Sequence, residues 1–140
     1  MPVPVTRRWC RYLPIALAVL VPASACGDSD TTPQAPEISD LTLTPTTVTA
    51  GTQPQIDGTV DFYDANGDAG KFVIKVTTPS QTSQQTDPTA AAEADGQKSG
   101  TLGFRITINA AASGPYLVEI WMLDDHGLTS NRLRGVVTAQ

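Results

Sequence analysis

The sequence predicts an all-β chain, an antiparallel β-sandwich of about seven strands, and three observations carry that prediction. From about Pro36 onward, apolar and polar residues alternate over short runs, with no long helical periodicity. The runs are rich in β-branched and aromatic residues, and turn-forming residues separate most of them. About seven such runs fall within about 100 residues, the spacing of two packed antiparallel sheets.

Taken in order, LTLTP (41–45) alternates, and VTAG (48–51) follows a Pro-Thr-Thr kink. In PQIDGTVDFY, Ile56, Val60 and Phe62 share one face, and Gln55, Asp57, Thr59 and Asp61 the other. KFVIKV repeats the period, with Phe72, Ile74 and Val76 inward against Lys71 and Lys75. In TLGFRITIN, Leu102, Phe104, Ile106 and Ile108 alternate with Thr101, Gly103, Arg105 and Thr107. PYLVEIWML and NRLRGVVTA supply the last two runs. The expected core is Ile56, Val60, Phe62, Phe72, Ile74, Phe104, Ile106, Val118 and Ile120. Burial of each is worth about 1.5–3 kcal/mol, adequate for a domain of this size.

Between KFVIKV and TLGFRITIN lies SQTSQQTDPTAAAEADGQKSG, with almost no large apolar side chain. It reads as a solvated connection in place of the usual middle strands. Within it, Asp87, Pro88 and Gly96 sit where an N-cap, an N1 proline and a C-terminal glycine would bound a turn or two of helix.

Two further features narrow the sandwich to an immunoglobulin-like topology. Gly114-Pro115-Tyr116 resembles the tyrosine corner that opens the penultimate strand of such folds. The closing stretch, from Tyr116 through Asp124-Asp125-His126-Gly127-Leu128-Thr129-Ser130, resembles the ending of bacterial Ig-like, PKD-like and cadherin-like modules. The resemblance covers residues 37–140 and implies fold more than function. It departs from antibody-type domains at Val118, where those carry a core cysteine, so the core must be purely hydrophobic.

The first 25 residues belong to a different logic. Arg7, Arg8 and Arg11 precede the apolar run LPIALAVLVP and the small residues Ala23-Ser24-Ala25, the plan of a cleaved export signal. The run falls well short of the roughly 20 residues needed to span a bilayer. Ala23-Ser24-Ala25-Cys26 resembles the lipobox of bacterial lipoproteins, with Ala23 where Leu is usual. The same residues satisfy the A-x-A rule of ordinary secretion, so both readings cut before Cys26 and differ in the lipid. Cys26 would be the only cysteine of the mature chain, and an unpaired exported thiol favours the lipid reading. Residues 26–36 then form the attachment cysteine and a polar tether, and 37–140 the domain. Gly27, where enteric inner-membrane lipoproteins carry Asp, implies the outer membrane, on its periplasmic or surface face.

Loss of the signal leaves six basic against fourteen acidic residues, a net charge of −8. Such a chain disfavours nucleic acid, and membrane attachment must come through the N-terminal lipid. Another envelope protein is the expected partner class.

No catalytic residue is assigned. His126 is the single histidine, and no GxxxxGK[ST], HExxH or CxxC pattern occurs. DFYDANGD and the DDH turn place Asp61, Asp64, Asn66, Asp68, Asp124 and Asp125 in or beside two loops at one end of an Ig sandwich. Such oxygen donors suit Ca²⁺, the one candidate cofactor. The competing reading is turn chemistry, because Asn-Gly and Asp-His-Gly are what tight turns require. The stretch is not an EF-hand, since Ala69 stands at loop position six and Lys75 at twelve. A second candidate surface follows from the period of the penultimate run: Leu117, Trp121 and Leu123 point outward beside Val73. Such an apolar stripe marks a partner site unless the 80–100 loop covers it or the register of the run is reversed.

The expected function is a non-enzymatic, lipid-anchored envelope protein that binds or scaffolds. The alternatives are a Ca²⁺-stabilised adhesion-type module and, further off, a small envelope hydrolase or inhibitor centred on the DDHG turn.

Overall fold

The computed structural model describes residues 32–140. The expected export signal and the expected lipid-attachment residue Cys26 lie outside the described residues. Among the described residues nine strands run in order: β1 (Glu37–Thr44), β2 (Thr47–Val48), β3 (Gln55–Tyr63), β4 (Ala69–Thr77), β5 (Ser83–Gln85), β6 (Thr89–Ala90), β7 (Ser99–Thr107), β8 (Gly114–Asp124) and β9 (Leu133–Ala139). They form a three-stranded sheet, β1-β3-β7, and a larger one, β2-β9-β8-β4-β5, with β6 also on β4. All pairings are antiparallel except β2 with β9. This is an Ig-like β-sandwich, as the alternation predicts.

The alternation sets the faces. In β3 every even residue, Ile56 to Phe62, is buried and every odd one exposed. Its partner β7 supplies Leu102 and Phe104 opposite Val60 and Gly58. From the other sheet come Ile74, Tyr116, Val118, Ile120, Met122 and Val137. Of the expected core, Phe72 and Ile106 are only partly buried, because each lies near a sheet edge.

The chain crosses between the sheets after β1. β1 pairs with β3, bulges at Asp40 (φ 54°), and the chain then moves over to β9 as β2. Where β1 passes β9, a side chain on Gly135 would strike Leu43, so the crossing needs glycine there. The tyrosine corner forms as expected. Tyr116 Oη donates to the Ala112 carbonyl at 3.0 Å and accepts the Ala112 N–H at 3.1 Å.

The 80–100 stretch corrects the reading of a bare connection. β5 and β6 pair with β4, and Ala91 and Ala94 are buried in the core. The residues of this stretch that reach the core are alanines, which carry little apolar signal. A single turn, closed by Asp95 N–H to the Ala91 carbonyl, stands where helix is predicted. Asp87 and Pro88 precede β6 instead of capping a helix.

Candidate functional site

The β3–β4 and β8–β9 connections meet at one end of the sandwich, because Ala69 pairs with Asp124. Their turns share one construction. Asp64 and Asp124 each open a turn whose fourth residue is glycine at positive φ, Gly67 at 74° and Gly127 at 82°. In both, the glycine N–H donates to the aspartate carbonyl at 3.2 Å. The Asp125 N–H then donates to the Asp68 carbonyl at 3.1 Å and ties the loops together.

The six donors expected for Ca²⁺ do not all converge. Asp64 is fully buried, and both its carboxylate oxygens serve the backbone: Oδ1 accepts the Asn66 N–H at 3.1 Å, and Oδ2 accepts those of Asp68 and Ala69 at 2.7 Å. Asp61 lies on the outer face of β3 and accepts the Thr101 hydroxyl at 2.6 Å. Asn66 is engaged with the Thr32 carbonyl and the Gln34 N–H, and Asp125 is exposed. The residues that meet are Asp68, Asp124 and His126, the last not among the six expected donors. One ligand atom from each lies within 4.8 Å of the other two. His126 Nδ1 stands 2.8 Å from Asp68 Oδ2. Asp124, 3% exposed, accepts the Leu128 N–H at Oδ1 (2.7 Å), while its Oδ2 and the Asp68 Oδ1 are buried without a hydrogen-bond partner.

The outer face of β4, β8 and β9 is the second candidate. Leu117, Glu119, Trp121 and Leu123 pair with Thr77, Lys75, Val73 and Lys71, all turned from the core. The register agrees with the sequence, but the stripe is not open. Val73 and Trp121 are 2% and 5% exposed, and the Arg132 guanidinium lies 4.1 Å above the Trp121 ring. The 80–100 loop is not the cover, since it lines the β4 edge. Beside Trp121, Glu119 accepts Arg134 Nε at 2.8 Å, with Lys75 Nζ at 3.5 Å. Of the six basic residues after Cys26, Lys71, Lys75, Arg132 and Arg134 thus share one face of an acidic chain. Nothing local in the sequence shows this, because it depends on registry across three strands.

The Arg134 hydrogen bond holds the Glu119 carboxyl below its ordinary range; burial opposes this, and the Arg134 and Lys75 charges add to it. A depressed folded value gives stability that is present above the unfolded value of 4.5 and lost as pH falls through the folded one. Glu119→Gln should cost about 1 kcal/mol at pH 7, a small value because Arg134 is largely exposed. Thermal melts of both proteins should converge as pH falls from 5 toward about 3. A difference that stays constant across that range would refute the assignment.

At the opposite end of the strands, a groove of about 540 Å³ opens between β5 and β7 over Ile74, Val76, Ile106 and Tyr116.

No family model and no curated protein matches the chain. Among solved structures it resembles the PKD domain of an M14-like peptidase from a Thermoplasmatales archaeon, at 18% identity and a TM-score of 0.50. That match covers 76% of this chain and 97% of the other. The fold is a PKD-like β-sandwich. The alkylpurine DNA glycosylase AlkC of Pseudomonas fluorescens, bound to DNA containing an abasic site analog, matches at 12% identity and a TM-score of 0.46, over 74% of this chain and 30% of that one. In this PKD-like sandwich the two candidate sites occupy different places, one at the loop end and one on the outer face of the larger sheet.

Proposed function

We propose that the chain is a non-enzymatic envelope protein, held to a membrane through a lipid on Cys26, that binds an acidic segment of another envelope protein. The observation that carries the binding role is the segregation of charge: four of six cations gather around Trp121 and Glu119, while the mature chain as a whole is at −8. Exposed Val136, with half-buried Leu117 and Leu123, adds apolar contact at the same face. Lys75 and Arg134 are partly neutralised by Glu119, which leaves Lys71 and Arg132 to meet an anionic partner. The lipobox resemblance at Ala23-Ser24-Ala25-Cys26 and the polar tether behind it support the anchor.

The test uses the full chain on immobilised polyglutamate. The protein should be retained at low salt despite its net charge and released by about 0.2 M salt, as expected for screened surface contacts. Lys71→Glu combined with Arg132→Glu should abolish retention. Failure of the wild type to bind would sink the docking face. The anchor is tested separately by intact mass of the membrane fraction from wild type and Cys26→Ser; a wild-type mass without acyl groups would remove it.

A further inference from the structure

At the loop end of the sandwich, we propose a divalent transition-metal site, of the Zn²⁺ class, held by Asp68, Asp124 and His126. The starting observation is a charge problem. Two carboxylates come together, and each keeps one buried oxygen, Asp68 Oδ1 and Asp124 Oδ2, that no donor reaches. A carboxylate oxygen removed from water without a donor is strongly unfavourable, and two like charges close together add to the cost. Among the described residues, no lysine or arginine pairs with either group; the only ion-pair partner is His126, on Asp68. His126 reaches only one of the two carboxylates. A divalent cation offsets both and supplies the missing partner to both free oxygens.

The other oxygens of these side chains are already engaged, Asp124 Oδ1 on Leu128 N–H and Asp68 Oδ2 on His126. The free oxygens are therefore not spare capacity of a mobile side chain. Asp124 is 3% exposed and cannot swing out to water. The loops that carry the ligands are joined by the Asp125 N–H to Asp68 carbonyl bond and by the Ala69–Asp124 pairing, so the site is built into the strand ends.

The donor set decides the class of ion. Ca²⁺ takes six to eight oxygens, and the side chains that would have supplied them are committed elsewhere: Asp64 to backbone N–H groups and Asp61 to Thr101. An imidazole nitrogen with two carboxylates suits Zn²⁺ and its neighbours instead. Three protein ligands leave one position of a tetrahedral ion for water or a ligand from another molecule. The site is separate from the outer face of β4, β8 and β9, so either proposal can fail alone.

The experiment is titration of the purified full chain with Zn²⁺, and separately with Ca²⁺, followed by calorimetry and thermal melts. One equivalent of Zn²⁺ should bind, and a hundredfold excess over Kd should raise the midpoint by about 10 °C. Ca²⁺ at the same concentration should shift it far less. His126→Ala and Asp124→Asn should each weaken Zn²⁺ binding by at least about 10–100-fold, the effect of losing even an outer-shell partner. Asparagine keeps the acceptor for Leu128, and His126 is exposed, so both variants should fold. In chelator, Asp124→Asn should melt no lower than wild type, because it removes a charge that has no partner without metal. Zn²⁺ binding unchanged in both variants would place the ion elsewhere on the chain and overturn the site. Stabilisation by Ca²⁺ in preference to Zn²⁺, or no Zn²⁺ binding below millimolar concentration, would overturn it as well.

Discussion

Asp64→Ala should lower the thermal midpoint by roughly 15 °C or more, the result of losing about 3–4 kcal/mol. The residue is fully buried and accepts three backbone N–H groups, those of Asn66, Asp68 and Ala69. Alanine leaves all three donors in a space from which water is excluded, and each unsatisfied buried group costs about 1–3 kcal/mol before relaxation. The damage also spreads, because the Asp64 N–H donates to the Lys98 carbonyl and so ties this turn to the strand entering β7. Asp64→Asn should not rescue the loss: its amide must turn an NH₂ toward at least one of the donors. Asn66→Ala, whose contacts are to exposed backbone at Thr32 and Gln34, is the control and should cost under about 1 kcal/mol. A midpoint for Asp64→Ala within a few degrees of wild type would mean that the loop re-forms its bonds another way. The role assigned to Asp64 would then be wrong.

Gly58→Ala should be the second large loss, about 2–3 kcal/mol, with a fall of roughly 10 °C or more in the midpoint. Gly58 pairs directly with Phe104 across β3 and β7, and the phenyl ring lies down over the glycine. A methyl group there would fall far inside contact distance of the ring, and the ring is too deeply buried to rotate into solvent. The variant must therefore push Phe104 into the opposite sheet, where Phe72 already packs against it. Phe104→Leu in the Gly58→Ala background should recover part of the loss, giving a coupling of about 1 kcal/mol in a double-mutant cycle. Gly103→Ala tests the same chemistry where nothing lies within 4 Å of the added carbon, and should change stability by under about 0.5 kcal/mol. Additive losses for Gly58→Ala and Phe104→Leu would show that the ring and the glycine do not depend on each other.

These residues also show what was legible in the chain. Ile56, Val60 and Phe62 point inward as their spacing requires, because a period of two leaves only two faces to choose between. Tyr116 closes its corner on Ala112 because that bond spans four residues. Asn66-Gly67 and His126-Gly127 turn as expected, because positive φ is a local property of glycine. What escaped was lateral. The stripe of Val73 and Trp121 was legible but its cover was not, since no local pattern places Arg132 over an indole eleven residues away in sequence and one strand away in space. Ala91 and Ala94 read as solvated, since alanine carries too little apolar signal to announce that it closes an edge.

The sequence by itself determined the two-sheet architecture, the position of the turns and the end of the sandwich where acidic loops gather. Each of these follows from alternation or from turn chemistry within a few residues. The tertiary structure alone decided which acids are spent and which are free. Asp64 and Asp68 stand four residues apart in one stretch, yet Asp64 is consumed by its own turn, while Asp68 faces Asp124 and His126 from the other loop. The reason is that a backbone N–H is a local partner, fixed by the turn, whereas a second carboxylate or an imidazole arrives only when β4 and β8 pair.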